Sequence, residues 1–210
     1  MMRKHYFMEP FGSALPLKPL PKTNPYNKIS ENLYLGGIQS SEKNWNDFRL
    51  IVNCTKDIPF QSEQFGQRAT SLRTGTEGPL IQLTPLGDQR SLCENAKRSC
   101  EFGMDSPECI RIPISDTPEE CENFLRYIYE TNVLRKMNQA IHEGKPVLVH
   151  CYAGAQRSCA LVACYLIEFY GVIPSVAMEH IRKNRPIAFF GGANFSQAIQ
   201  RFYSKSTYRS

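Results

Sequence analysis

The sequence predicts an α/β fold in which helices cover both faces of a central sheet. Three observations lead there: short apolar runs closed by glycine or polar residues, segments with apolar residues at helical spacing, and the alternation of the two along the chain. Leu33-Tyr34-Leu35 reads as a strand closed by Gly36-Gly37, and ordered structure is expected from about Ile29. Leu50 to Cys54 reads as a buried strand entered from a short helix around Trp45 to Phe48, and Ile110 to Ile114 as a third strand. Between Pro118 and His142 the residues Phe124, Leu125, Ile128, Leu134, Met137 and Ile141 recur at helical spacing, which predicts one long helix or two shorter ones. Pro146 to His150 is a compact apolar strand, Ser158 to Tyr170 a buried helix ended by Gly171, and two amphipathic helices follow at about Ser175 to Asn184 and Asn194 to Tyr203.

Domain limits follow from composition. Residues 1–27 carry Pro10, Pro16, Pro19, Pro21 and Pro25, which fix backbone angles and remove donors, so an extended arm is expected there. Pro16 and Pro19 have the loose PxxP spacing of a docking motif, a common pattern that points to a partner only weakly. Residues 28–203 form the domain and 204–210 a tail. Within the domain, residues 61–109 show scattered glycines and charges without a sustained period, and read as a flexible insertion.

Composition narrows the function classes. Of the 210 residues 41% are hydrophobic and 21% charged, the balance of a soluble globular domain. The longest apolar stretch, Ala160 to Tyr170, contains Glu168 and falls far short of the ~20 residues that span a bilayer. Arg3, Lys4 and His5 are followed by Glu9 and prolines, not by a secretory apolar run, so a cytoplasmic or nuclear location is expected. The 8 cysteines then read as reduced thiols, and the gaps between Cys93, Cys100 and Cys109 match no zinc-ligand pattern. Neither a metal nor another cofactor is expected. The basic residues Arg182, Lys183, Arg185, Arg201, Lys205 and Arg209 read as a solvated helical face in preference to a nucleic-acid site.

The chemistry concentrates where the strand Val147-Leu148-Val149-His150 meets Cys151-Tyr152-Ala153-Gly154-Ala155-Gln156-Arg157-Ser158. A strand-loop-helix junction is an anion site: backbone N–H groups converge on phosphate oxygens, the helix N-terminus adds a positive dipole, and Gly154 permits the tight turn. The same field favours a cysteine thiolate, the nucleophilic form. Arg157 can grip two phosphoryl oxygens at once, as a lysine could not. Ser158 is placed to donate to the Cys151 sulfur, and His150 to orient the loop rather than act as a base.

At these residues the chain resembles the cysteine-based protein tyrosine phosphatase superfamily, whose signature is His-Cys, five residues, Arg, then Ser or Thr. It looks most like the dual-specificity branch. Ile29 to Gly37 (ISENLYLGG), Leu50 to Cys54, Arg111 to Asp116 (RIPISD) and Arg182 to Phe195 (RKNRPIAFFGGANF) are similar to further family segments. The resemblance implies a mixed, mainly parallel sheet and gives Cys151 the role of nucleophile, Arg157 that of phosphate clamp and Asp116 that of general acid. Glu119 and Glu120 are the fallback acids, and Asp116 is also a candidate helix N-cap. Tyr152, Ala153, Gly154, Ala155 and Gln156 line the phosphate, Gln156 chiefly through its backbone N–H. Cys54 is a candidate disulfide partner for oxidised Cys151, although a core cysteine is the simpler reading; Cys121, Cys159 and Cys164 read as core residues.

Hydrolysis of phosphotyrosine, and of phosphoserine and phosphothreonine, in proteins through a cysteinyl-phosphate is the expected function. The alternatives are a 5′-phosphatase acting on RNA, another non-protein phosphate ester, and a non-catalytic phosphate-binding module. The short segment between Ile29 and Leu50 leaves no room for the slot-building loop of strict tyrosine phosphatases and implies a shallow cleft. The loop also lacks the lysines that phosphoinositide phosphatases of the superfamily set beside the arginine.

Overall fold

The computed structural model describes residues 24–43, 45–60 and 106–207. The arm before Asn24 and most of the segment read as an insertion lie outside them. Along the chain run β1 (Tyr26–Ser30), β2 (Leu33–Gly36), α1 (Ile38–Lys43), a 3-10 turn (Trp45–Asp47), β3 (Leu50–Asn53) and β4 (Glu108–Arg111). A second 3-10 turn (Pro118–Glu120) leads to α2 (Cys121–Thr131), α3 (Val133–His142), β5 (Val147–His150), α4 (Arg157–Tyr170), α5 (Pro174–Asn184) and α6 (Ser196–Thr207).

The strands form a sheet of order β1-β2-β5-β3-β4. Only β1 runs antiparallel to its neighbour; β2 with β5, β5 with β3 and β3 with β4 are parallel, so the sheet is mixed and mainly parallel. Strand periodicity divides the side chains between two faces. Leu33, Leu35, Leu50, Val52, Val147 and Val149 join one large core, to which α2 to α6 contribute Phe124, Ile128, Met137, Leu161, Ile181 and Phe202. Their alternates Tyr34, Ile51 and Leu148 meet Phe48, Trp45, Tyr26 and Phe60 in a small cluster on the other face. Both faces are covered, but unequally: five helices feed the large core, while the small cluster lies beside α1 and the first 3-10 turn.

Several boundaries differ from the sequence reading. β1 starts at Tyr26, inside the stretch assigned to the arm, because Asn27 and Lys28 pair with Leu35 and Tyr34 whatever prolines precede them. The strand read as Ile110 to Ile114 is Glu108–Arg111; Ile112 N–H still bonds Asn53 O, but Pro113 has no N–H to continue the ladder. Glu108 and Cys109 therefore belong to the sheet, and β3 and β4, the strands flanking the insertion, are neighbours as expected. The helical stretch after Pro118 is two helices, broken at Asn132, whose φ of 52° is left-handed. The last helix runs on to Thr207, past the point where the tail was placed. The short helix α1 was not anticipated.

Arg209 lies outside the described residues, and the described basic residues of the C-terminal region have differing surroundings. Arg185 is buried, Arg182 lies over Phe189, Arg201 pairs with Glu122, and Lys205 lies over the Tyr129 ring. Among the described residues no helix is long and apolar enough to cross a membrane.

Phe124 is fully buried and packs 5.2 Å from Phe195, joining α2 to the segment that enters α6. Truncating such a ring costs about 3–5 kcal/mol. We expect Phe124→Ala to lower the urea unfolding midpoint accordingly, with the slope of the transition unchanged.

Candidate functional site

β5 is the middle strand of the sheet, and its four residues are all buried. It delivers His150 and then Cys151, 1% exposed, into the loop that ends at the first residue of α4, Arg157. The carbonyls of that loop are each held from outside. Tyr152 O accepts from Ile38 N–H at 2.9 Å, Ala153 O from Arg185 Nη2 at 3.0 Å, Gly154 O from Arg185 Nε at 2.7 Å and Ala155 O from Phe189 N–H at 2.7 Å. A trans peptide turns its N–H away from its C=O, so tying four successive carbonyls outward aims the N–H groups of Ala153, Gly154, Ala155 and Gln156 inward. Gly154 N–H does point to the Cys151 sulfur, at 3.2 Å. The conformation needs glycine at 154: its φ is +68°, and a Cβ there would run into Gly36 O and come within 2.6 Å of Arg185 Nη2.

Ser158 Oγ donates to the same sulfur at 3.2 Å. Arg157 is bent toward the loop after β4, with Nη1 donating to Ile114 O at 3.2 Å and Nε lying 3.7 Å from Asp116 Oδ2. That Nε–H is buried and has no hydrogen-bond partner among the described residues. Such a donor is costly to leave unmet, and a phosphoryl oxygen would satisfy it.

Asp116 comes from the loop between β4 and α2, its side chain 38% exposed. Asn194 Nδ2 donates to its Oδ1 at 3.0 Å and to its carbonyl at 3.3 Å. The N-cap position of the following 3-10 turn belongs to Thr117, so the capping role considered for Asp116 does not arise. The fallback acids are engaged elsewhere. Glu120 accepts from Lys56 and Asn123, and the Glu119 carboxyl is held below its usual range, first by its own backbone N–H and then by the Thr117 hydroxyl.

His150 Nδ1 lies 3.3 Å from Cys151 O and donates to it, which orients the ring against the loop. Burial pulls the imidazole down to about 4, with nearby Arg111 adding to the effect and the Cys151 carbonyl opposing it. The ring is neutral at pH 7. Its buried Nε2 has no hydrogen-bond partner among the described residues, and the residue borders a small pocket lined by Ser41, Trp45, Phe60 and Cys109. Cys54 is fully buried at the end of β3, its N–H bonded to His150 O at 2.8 Å. Burial, and then the charge of Cys151, push its thiol up. Cys121, Cys159 and Cys164 are buried in the core.

Residues 91–205 match the model of the dual specificity phosphatase catalytic domain. The chain belongs to this family. It is similar to human dual specificity protein phosphatase 15, 33% identical over 101 residues, a match covering 44% of this chain and 30% of that protein. The Arabidopsis thaliana phosphatidylglycerophosphate phosphatase PTPMT2 is 49% identical over 43 residues, covering 20% of this chain and 19% of that protein. The chain thus spans less than a third of the length of either relative. Among solved structures, human DUSP28 superposes with a TM-score of 0.60 at 18% identity, over 89% of this chain and 98% of that one, a likeness of fold.

Cys151, Arg157, Ser158, Asp116 and His150 are thus brought together around one loop. Three features of the site went unnoticed in the sequence. Arg185, 1% exposed, holds two loop carbonyls and also donates to Asn24 O at 3.3 Å and Asn27 Oδ1 at 2.7 Å. Gly37 lies against the loop so closely that a Cβ would stand 2.9 Å from Tyr152 O. Gln156, read as a backbone contributor, uses its side-chain amide on Phe190 O, Gly192 O and Asn194 N–H. The first two had a signal, an arginine within the segment Arg182 to Phe195 and a glycine closing the segment Ile29 to Gly37.

The neutral His150 has a consequence for stability. Its folded value, about 4, lies below the 6.5 of an unfolded histidine, so between those limits the unfolded chain binds the extra proton. The fold keeps its full stability above pH 6.5 and loses about 3 kcal/mol as the pH falls to 4. In His150→Gln we expect this part of the pH dependence to vanish, so that urea midpoints at pH 7 and pH 4 draw closer together.

Proposed function

We propose that the protein is a cysteine-dependent phosphatase that hydrolyses phosphotyrosine, and also phosphoserine and phosphothreonine, in proteins. The observation that carries this reading is the convergence of Gly154 N–H and Ser158 Oγ on the Cys151 sulfur, each at 3.2 Å. Two donors aimed at one sulfur favour its thiolate and its role as both nucleophile and leaving group.

The steps follow from the residues. Cys151 thiolate attacks phosphorus while the inward N–H groups and Arg157 hold the equatorial oxygens, and Asp116 protonates the departing oxygen. Asp116, now a carboxylate, takes a proton from water as that water attacks the cysteinyl-phosphate. Phosphate leaves, and the thiolate returns to the Ser158 hydroxyl.

Among the described residues between Gly37 and Leu50 the regular elements are α1 and a 3-10 turn, and Tyr152 beside the nucleophile is 65% exposed, which supports a shallow cleft open to short and long phosphorylated side chains. Phosphotyrosine should react faster, since phenoxide is the better leaving group. A second reading, a lipid phosphate monoester, is favoured by the similarity to the plant phosphatidylglycerophosphate phosphatase. Cys54 enters the proposal as a redox partner: peroxide converts the Cys151 thiolate to a sulfenic acid, and the Cys54 thiol condenses with it, releasing water and forming a disulfide. Loss of the thiolate charge removes one of the influences, after burial itself, that hold Cys54 protonated.

Turnover of phosphotyrosyl peptide, phosphothreonyl peptide, phosphatidylglycerophosphate and 5′-triphosphorylated RNA, measured side by side, tests the substrate class. The peptides should be the better substrates; a lipid or RNA turned over far faster would replace the protein reading. Cys151→Ser should abolish turnover yet still bind phosphate esters, and residual hydrolysis near the parent rate would exclude the covalent mechanism. Asp116→Ala should lower kcat by roughly two to four orders of magnitude on esters with poor leaving groups and much less on activated aryl phosphates.

A further inference from the structure

The Gln156 side chain sits in the loop that carries the nucleophile, yet its hydrogen bonds go to the segment 190–194. It is 9% exposed, and both hydrogen-bonding ends of its amide are engaged. Nε2 donates to Phe190 O at 2.9 Å and Gly192 O at 2.7 Å, and Oε1 accepts from Asn194 N–H at 3.2 Å. These contacts secure a segment that has little regular structure to hold it. Phe189 has a φ of +57°, and Gly191 and Gly192 have φ values of +76° and +121°. A left-handed phenylalanine is unfavourable by itself and persists only where its surroundings impose it. Here Phe189 N–H bonds Ala155 O, and the buried ring lies under the Arg182 guanidinium.

Asn194 stands at the far end of this segment and turns its side chain to Asp116, donating to Oδ1 at 3.0 Å and to the carbonyl at 3.3 Å. The loop after β4 is otherwise joined to the catalytic loop by Arg157, which bonds Ile114 O and faces Asp116 Oδ2 at 3.7 Å. Arg157 is also the group that must grip phosphate, and its contact to Asp116 is longer than a hydrogen bond. Asn194 holds the carboxyl at hydrogen-bond distance from a segment outside the nucleophile's loop.

We propose that Gln156 and Asn194 form a brace that sets the position of the Asp116 carboxyl relative to Cys151, making them positioning residues for proton transfer to the leaving group. Gln156 fixes the segment 190–194 to the nucleophile's loop, and Asn194 carries that registration to the acid. The proposal rests on the reading of Asp116 as general acid. Proton transfer is the step most sensitive to such placement, because a displacement of about 1 Å can cost as much as a hundredfold. Gripping the phosphate does not draw on it.

The test compares kcat on phenyl phosphate, whose leaving group needs a proton, with kcat on a nitrophenyl phosphate, whose leaving group does not. Asn194→Ala should lower the first by roughly ten- to a hundredfold and the second by no more than about threefold. Gln156→Ala should shift the ratio of the two rates in the same direction. Neither substitution should reduce the phenyl phosphate rate further once Asp116 is Asn. Equal losses on both substrates would show a general disturbance of the site and overturn the brace, as would unchanged rates on both. Should Gln156→Ala fail to fold, Asn194→Ala alone decides. The single variant Asp116→Asn separates the two levels: if it slows both substrates equally, the acid assignment fails whatever Asn194 does.

Discussion

The site depends on one constraint, the capture of four consecutive loop carbonyls by donors outside the loop. Ile38, Arg185 and Phe189 supply those donors from three different parts of the chain. Peptide planarity does the rest, since a carbonyl fixed outward leaves its N–H no direction but inward. The loop alone has no reason to adopt this conformation. Gly154 must enter the left-handed region, and four peptide dipoles with their N–H groups gathered around one point repel each other until an anion arrives. The donors around the loop therefore hold ready an arrangement that substrate would otherwise have to organise, a preorganisation of the kind that lowers barriers to charge transfer.

That outer support is available because of where β5 lies. As the central strand it is paired on both sides and buried on both faces, so its C-terminal end has little freedom, and the loop leaves from a rigid point. The unequal covering of the sheet serves the same end. The large core presses α4 against the strand that precedes it, while the smaller cluster of Phe48, Ile51 and Leu148 secures the opposite face. His150 belongs to this support as a neutral ring bonded to the backbone beside the nucleophile.

How much of this could be read in advance depended on the range of the interaction. Cys151, Arg157 and Ser158 lie within one short segment, and their spacing encodes the loop; the buried strands announced themselves as apolar runs. Asp116 was legible only through the resemblance of RIPISD to a family segment, since a lone aspartate before Thr-Pro has commoner uses. β1 was concealed by the prolines before it, because its pairing with β2 is a tertiary fact and its own sequence, YNKIS, has little apolar pattern. The roles of Arg185 and Gln156 were hidden for the same reason, although Arg185 lay within a family-like segment. An arginine in a basic stretch looks solvated, and a glutamine in a loop looks like filler, until the acceptors they reach are placed by segments distant in the chain.

The hydrogen bonds from Arg185 to Asn24 and Asn27 join the first described residues to the carbonyls behind the nucleophile. One guanidinium thus spans the residues just ahead of and within β1 on one side and the catalytic loop on the other. Where to begin a trimmed version of the chain is then a question about chemistry as well as solubility. A start at Lys28 would look harmless by motif, since every catalytic side chain remains, but it would remove both acceptors on that side of the arginine. The guanidinium would be left to settle among fewer partners, and the loop it steadies would inherit that slack.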